Sequence, residues 1–286
     1  MSVPTMVAPA KGRAGAWLKG ALLFALVALA WHRTLATLWE TWATNDNYSH
    51  GPLVPATSLV LVWLRRDRLR ALPVRPATWG LALVGLGCLM QVVGVRADVL
   101  ALQGWGLLPL LFGLSLAFLG TAMTRMLAFP IAYLGFMLTF PPLVMNSLSF
   151  ALKEISVSAS VGAAHALGVP LERDGMSILL ASGELRVENP CSGLRSLLAL
   201  LATGTLFAYF QKGGFWRRAT VLLAATPIAI LGNAVRLLLV IVAAERRGVV
   251  WASGTFHDMT GYVVYGVALA ALLGLRELLT PKGARA

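Results

Sequence analysis

Apolar stretches of about 20 residues recur along this chain, and that is the length a helix needs to cross a bilayer. Charged residues lie mainly between these stretches. Only 13% of the 286 residues are charged and 58% are hydrophobic, whereas a soluble domain carries about 25% charged residues. The sequence therefore predicts an all-α, polytopic transmembrane helical bundle that forms one integral membrane domain over residues 1–286.

The apolar stretches predict eight spans, of which the second is short for a full crossing. We expect the first to be retained, because no clear cleavage site follows it. In chain order the predicted spans cover approximately 17–38, 51–64, 78–95, 99–120, 126–145, 193–210, 219–243 and 260–279.

The positions of lysine and arginine predict the orientation of the spans. With eight spans, the basic residues in 65–75, at Arg125 and in 212–218 all fall on one side, which the positive-inside rule assigns to the cytoplasm. Arg246 and Arg247 are the exception. A tail of residues 1–16 and the C-terminus are then cytoplasmic. The net charge of +12 follows from this loop bias, so we expect a lipid bilayer and no nucleic acid as partner.

The segment 146–192 is the largest piece that this orientation places outside. Leucines and alanines at helical spacing over 146–168 predict an amphipathic helix on the membrane surface. Two short strand-like runs around a Ser-Gly turn at 182–183 predict a hairpin. This segment leads directly into Asn189-Pro190-Cys191.

Cys191 stands at the predicted outer start of span six. Backbone N–H groups at a helix start favour the thiolate and can also hold an oxyanion, while Ser192 and Gly193 leave the approach open. The alternative is a small buried side chain with no chemical role, since free cysteines are often buried.

Arg236 lies in the outer half of predicted span seven. An arginine within a span costs roughly 2.5–3.5 kcal/mol on insertion scales and therefore faces a partner or a polar cavity. We expect it to stabilise a thiolate or a tetrahedral oxyanion, with Asn233 on the same helix face to orient it. A snorkelling or purely structural arginine is the alternative.

His257 lies at the predicted outer start of span eight, where an imidazole can serve as a general base or acid. Its neighbour Asp258 should point elsewhere if a helix begins here. A solvated interfacial histidine is the alternative. Because the predicted topology brings Cys191, Arg236 and His257 to one face, the sequence predicts the nucleophile, cation and base of a thiol acyl-transfer site.

A polar segment at 45–51, in the first external loop, lies on the same predicted face. Its residues Asp46, Tyr48, Ser49 and His50 are candidates for substrate binding or for support of the site, and His50 is a rival base to His257. An ordinary polar turn is the alternative. We find no metal-ligand spacing and expect no metal and no organic cofactor.

Four motifs resemble the exosortase/archaeosortase family over residues 40 to 275. They are N-D-N-Y-S-H-G-P-L-V-P, N-P-C-S-G-L-R-S, G-N-A-V-R and F-H-D-M-T-G. The resemblance implies an inner-membrane cysteine enzyme that acts on exported proteins with a C-terminal sorting signal, and it matches the family's Cys, Arg and His to Cys191, Arg236 and His257. Such a signal consists of a short motif such as Pro-Glu-Pro, a membrane helix and a basic tail.

The implied reaction is cleavage at the motif with transfer to an acceptor, a lipid or a glycan, in the inner membrane of bacteria that make exopolysaccharide. Two other functions stay open at this point. One is a membrane acyl- or glycan-transferase that uses His257 or His50 with Asn233. The other is a transporter or assembly subunit for exopolysaccharide, in which Arg236 lines a path.

Overall fold

The computed structural model describes residues 11–187 and 193–281. Within these residues the chain forms twelve α-helices and three short β-strands. In chain order they are α1 Lys11–Thr44, α2 Leu53–Trp63, α3 Arg66–Ala71, α4 Gly80–Arg96, α5 Leu100–Trp105, α6 Leu107–Leu119, α7 Thr121–Tyr133, α8 Pro142–Ala166, β1 Leu171–Asp174, β2 Ser177–Leu180, β3 Gly183–Arg186, α9 Leu194–Phe210, α10 Phe215–Arg247, α11 Val249–Ser253 and α12 Thr255–Leu279.

Helices dominate the fold, and the predicted all-α class is confirmed. Three helical segments are long and apolar enough to cross a membrane: Leu100–Leu119, Phe215–Arg247 and Phe256–Leu279. A fourth candidate is the pair Thr121–Met137 and Pro142–Ala166, which is bent by 78°. Helices α4 and α9 are apolar but shorter. Within the described residues the predicted count of eight spans is therefore not confirmed.

The fifth predicted span, 126–145, is wrong as one continuous helix. Helix α7 ends, a 3₁₀ turn follows over Leu134–Met137, and α8 begins only at Pro142. Pro141 is extended, with a ψ of 139°, because the residue before a proline is excluded from the helical region. The two adjacent prolines therefore interrupt the helix in a stretch that composition alone predicts to be a single span.

The helix predicted over 146–168 is present as part of α8. A serine face of α8 packs against α10, where the Ser160 hydroxyl donates to the carbonyl oxygen of Ala234 at 2.8 Å. Small hydroxyl side chains allow such close approach of two helices and add interhelical hydrogen bonds. Its placement on the membrane surface stays a prediction.

The predicted hairpin is confirmed, and a further strand joins it. Strands β1, β2 and β3 form an antiparallel sheet in that order. Ile178 lies opposite Leu185 in the register, and both side chains are buried in a core shared with α8, α10 and α11. The sheet thus packs one apolar face on the helices immediately before the chain reaches α9.

Two helical groups carry the remaining core. Apolar side chains of α1, α2, α5, α6 and α7 form one cluster, and those of α9, α10 and α12 form another. Tyr48, between α1 and α2, is buried in the second cluster, and Trp42 of α1 packs against both. The segment between α1 and α2 therefore joins the two groups.

A buried polar network ties α1 to α4 and α5. The Thr34 hydroxyl donates to Gln103 Oε1 at 2.9 Å and accepts from Gln91 Nε2 at 3.0 Å. Gln103 Nε2 donates to the Gly94 carbonyl oxygen at 3.1 Å. Because each amide has partners, the network adds directional contacts between helices that are otherwise apolar.

Candidate active site

Gly193 marks the turn at which the chain begins α9. Its backbone is left-handed, with a φ of +76°, and a Cβ added there would lie 2.6 Å from Asn233 Cγ. Both features require glycine, since other residues rarely adopt this conformation and the space is filled. The start of α9 is therefore held directly against α10. Cys191 and Ser192 lie outside the described residues.

Asn233 connects three helices at this point. Its side chain is 6% exposed, and Nδ2 donates to the Ser156 hydroxyl of α8 at 2.9 Å. Sequence reasoning expected it to orient Arg236, which follows one turn later on α10. Its described contacts place it between the start of α9 and helix α8, and its role in orienting Arg236 stays a prediction.

Arg236 and His257 are in direct contact. Arg236 Nη2 lies 2.6 Å from His257 Nε2 and 3.2 Å from the His257 carbonyl oxygen. A guanidinium can only donate hydrogen bonds, so His257 Nε2 accepts and the ring proton resides on Nδ1. Gly261 makes room for this contact, since a Cβ there would lie 3.2 Å from Arg236 Cζ.

The pair lines a cavity of about 350 Å³ among α2, α9, α10 and α12. Six of the residues predicted for the site border this space: Asp46, Ser49, His50, Gly193, Arg236 and His257. The polar side chains at the end of an otherwise apolar bundle thus converge on one cavity. A guanidinium, an imidazole and nearby backbone N–H groups can stabilise an anion and move a proton there.

Sequence reasoning missed several residues that border the same cavity. Arg195 follows Gly193 on the first turn of α9, and Asp258, Tyr262 and Tyr265 lie along α12. Asp258 was expected to point elsewhere; this was wrong, because it shares the cavity with His257. The i, i+4, i+7 spacing of these three α12 residues places them on one face of the helix, and this pattern could have identified them from the sequence.

The segment 45–51 also borders the cavity. Asp46 Oδ1 lies 3.5 Å from Arg195 Nη1, an exposed ion pair that links the segment to α9. Tyr48 is 5% exposed, and its hydroxyl accepts from the backbone N–H of Phe140 at 3.0 Å. Burial raises the pKa of Tyr48, although the bond from Phe140 opposes this, so the phenol stays neutral. Asp46 and Ser49 face the cavity, whereas Tyr48 fastens the segment to the start of α8.

The ring proton of His50 lies on Nε2, whereas that of His257 lies on Nδ1. The Nε2 of His50 lies 3.1 Å from the Phe136 carbonyl oxygen, which can only accept, so the proton is on Nε2. Nδ1 is buried and has no hydrogen-bond partner among the described residues. Burial lowers the pKa of His50, the bond to Phe136 opposes this, and Arg195 lowers it further. The ring is therefore neutral near pH 7 and keeps a lone pair on Nδ1.

Comparison with protein families gives a match to the family described as Transmembrane exosortase (Exosortase_EpsH), over residues 42–274. The chain belongs to the transmembrane exosortase family. Searches among curated proteins and among solved structures gave no match. Membership indicates a membrane protein-sorting enzyme, since exosortases are in general cysteine transpeptidases or proteases.

The matched range of this exosortase contains every motif on which the sequence resemblance rests. It runs from the last residues of α1, through the 45–51 segment, to the last turns of α12. The helices that surround the cavity are therefore the part of the exosortase that the family shares.

A second and larger space, of about 770 Å³, lies beside the first in this exosortase. The end of α1, the turn between α4 and α5 and the start of α8 surround it. Asp46 and Asn47 border both spaces, so the 45–51 segment is the wall between them. We call the smaller space the catalytic cavity and the larger one the polar cleft.

Proposed function

We propose that this exosortase is an integral membrane cysteine protease and transpeptidase. It cleaves exported proteins at a C-terminal sorting signal made of a short motif, a membrane helix and a basic tail. The cleaved protein is transferred to an acceptor. Family membership supports the enzyme class, and the order of loop charges supports a site near the periplasmic face of a bacterial inner membrane, with both termini cytoplasmic.

One observation carries the proposal: the 2.6 Å contact between Arg236 Nη2 and His257 Nε2 in the catalytic cavity. Gly193 borders the same cavity, and Cys191 precedes it by two positions. Two residues of extended chain reach about 7 Å at most. The proposal therefore requires the Cys191 thiol to lie within about two residues' length of a cavity that also contains Arg236 and His257.

Cys191 supplies the nucleophile. Its sulfur forms a bond to the scissile carbonyl carbon, the carbon–nitrogen bond breaks, and the product is a thioester with a free amine. Arg236 stabilises the negative charge that develops on the carbonyl oxygen. Arginine is suited to this role because it keeps its charge in an apolar setting.

His257 carries the proton from the thiol to the leaving amine. In the resting arrangement Nε2 of His257 accepts a hydrogen bond from Arg236, so this nitrogen is not free to accept a proton. As Arg236 turns toward the developing oxyanion, Nε2 becomes available to accept the thiol proton and then releases it to the amine. The contact thus couples stabilisation of the anion to activation of the nucleophile.

The substrate helix docks among the spans beside the cavity. Leu53 at the start of α2 and Tyr262 on α12 both border the cavity and are largely exposed, at 69% and 72%. A membrane helix can pack on such a face, and its motif then lies at the level of Arg236. The basic tail of the substrate remains on the cytoplasmic side.

The test is a processing assay in membranes. A tagged protein that ends in a sorting signal is co-expressed with the wild type, with Cys191→Ala or with Cys88→Ala. Cys88 is an exposed free cysteine of α4 and serves as the matched control. We expect a size shift of the substrate in the wild type and in Cys88→Ala that is lost in Cys191→Ala at equal enzyme level.

A shift that survives in Cys191→Ala would falsify the proposal. The imidazole-dependent acyltransferase would then be favoured. Arg236→Gln and His257→Gln complete the series, and each should lower cleavage by 10² or more if it acts in the transition state.

A further inference from the structure

The polar cleft and the catalytic cavity meet at a thin wall. Asp46 and Asn47 form this wall, because each borders both spaces. Asp46 is also paired with Arg195, another residue that borders the catalytic cavity, at 3.5 Å. A molecule held in the cleft therefore needs to reach past only one segment to approach Arg236 and His257.

The chemistry of the cleft differs from that of the cavity. The described residues that border it include no lysine, arginine or histidine, whereas the catalytic cavity contains both Arg195 and Arg236. Its charged residues are Asp46 and Asp98, and the other polar groups are neutral hydroxyls and amides, such as Thr44 and Asn146. Such a lining opposes a phosphate or carboxylate and offers many donors and acceptors to an uncharged polar molecule.

Thr139 places a buried hydroxyl at the edge of the cleft. It borders the cleft and is 7% exposed, yet its Oγ1 has no hydrogen-bond partner among the described residues. A buried hydroxyl is normally satisfied, and an unpaired one is a reason to look for a missing group. Phe140 and Tyr48 add aromatic surface beside it.

The geometry points to the polar cleft as the acceptor site, and to an uncharged, hydroxyl-bearing molecule such as a saccharide as its occupant. This inference rests on the proposed function and names the acceptor of the same reaction. Hydroxyl groups of the acceptor pair with the amides and threonines of the cleft. One further hydroxyl extends past Asn47 toward the thioester.

The transfer step balances without any additional reactant. The acceptor oxygen forms a bond to the acyl carbon, and the carbon–sulfur bond of the thioester breaks. The hydroxyl proton passes to the sulfur through an imidazole of the cavity and regenerates the thiol. The product is an ester, whereas water in place of the acceptor gives a free carboxylate.

The experiment separates transfer from cleavage. Membranes that contain the enzyme and a tagged substrate are supplied with methyl β-glucoside, ethanolamine or glycerol 3-phosphate at equal concentrations. Mass spectrometry of the new C-terminus then gives the ratio of transferred to hydrolysed product. We expect ester formation with methyl β-glucoside and none with glycerol 3-phosphate, which has free hydroxyls but is anionic.

Two variants test the cleft itself. Thr44→Ala and Asn146→Ala alter exposed side chains that border the cleft but not the catalytic cavity. Thr57→Ala is the matched control, because Thr44 and Thr57 each bond the carbonyl oxygen four residues earlier at 2.8 Å, and Thr57 borders neither space. We expect the ratio to fall about tenfold in the cleft variants, as one or two hydrogen bonds to the acceptor are lost, and to stay at the wild-type value in Thr57→Ala.

Each other outcome overturns the inference in a recognisable way. An unchanged ratio in both cleft variants removes the cleft as acceptor site but leaves the proposed function standing. Preferential capture of ethanolamine makes the acceptor an amine. Loss of cleavage in the cleft variants alone assigns the cleft to the substrate. Absence of Cys191-dependent cleavage in the wild type removes the proposed function and this inference with it.

Discussion

Gly193→Ala should damage the site more than an equivalent change elsewhere, because two effects add at this glycine. A non-glycine residue in the left-handed conformation costs roughly 1–2 kcal/mol. The new Cβ would also lie 2.6 Å from Asn233 Cγ and 2.8 Å from its Nδ2. Displacement of Asn233 breaks its buried hydrogen bond to Ser156, which costs a further ~1–3 kcal/mol.

Gly168→Ala isolates the first effect. Gly168 has a φ of +77°, against +76° for Gly193, and nothing lies within 4 Å of a Cβ added there. We expect Gly168→Ala to lower the free energy of unfolding by ~1–2 kcal/mol. Gly193→Ala should then exceed it by the ~1–3 kcal/mol that belongs to the lost hydrogen bond.

Unfolding in detergent measures the stability of both variants, and the processing assay measures their cleavage rates. A double-mutant cycle with Asn233→Ala adds a second criterion. Because the two residues are in contact, we expect their effects to be non-additive by about 0.5 kcal/mol or more. If Gly193→Ala were no more destabilising than Gly168→Ala, or if the cycle were additive, the contact between Gly193 and Asn233 would not contribute to the free energy of unfolding.

Three further changes have defined expectations. Arg236→Lys should lower the cleavage rate by about 10-fold or more while the protein stays folded, because an ammonium does not reproduce the guanidinium fork. Arg247 stacks on the ring of Trp251, and the control variant Arg247→Lys should leave the cleavage rate unchanged. His50→Gln should flatten the dependence of unfolding free energy on pH. Burial holds the pKa of His50 below its ordinary 6.5, so the wild type loses stability as the pH falls from about 6.5 through the folded-state pKa. His165→Gln is the control. The expectation would be contradicted if the pH dependence of the wild type persisted in His50→Gln and disappeared in His165→Gln. Gln103→Leu removes the side-chain hydrogen bonds to Thr34 and to the Gly94 carbonyl oxygen and should lower the unfolding free energy by ~1–3 kcal/mol, as read by thermal unfolding in detergent.

The helical class and the pairing of the main site helices could be argued from sequence, because both follow from local composition. Apolar runs separated by basic loops identify helices that alternate in direction. The end of α10 and the start of α12 must then lie at one end of the bundle, and the structure brings Arg236 and His257 into contact there. The turn signal at Gly183 likewise marks the hairpin without any long-range information.

Features that depend on contacts between distant segments could not be read in this way. The stretch 126–145 has the composition of a span, yet Pro141 and Pro142 divide it, and whether a proline kinks or breaks a helix depends on the surrounding helices. The left-handed turn at Gly193 is another case, since its need for glycine comes from Asn233 on a different helix. Arg195 was missed because its pairing with Asp46 joins segments far apart in the chain.

The distribution of charge between the two spaces gives a physical reason for their separation. Arg236 and Arg195 border the catalytic cavity. In the proposed reaction acyl transfer generates a negative oxygen there, and a cation stabilises that transition state more than the ground state. The same cations beside the acceptor would bind water and anions in place of a neutral hydroxyl. Asp46 pairs with Arg195 at the wall and places a negative charge between that arginine and the polar cleft. A single wall segment can therefore serve the proposed reaction, which needs charge stabilisation at the acyl carbon and neutrality where the proposed acceptor binds.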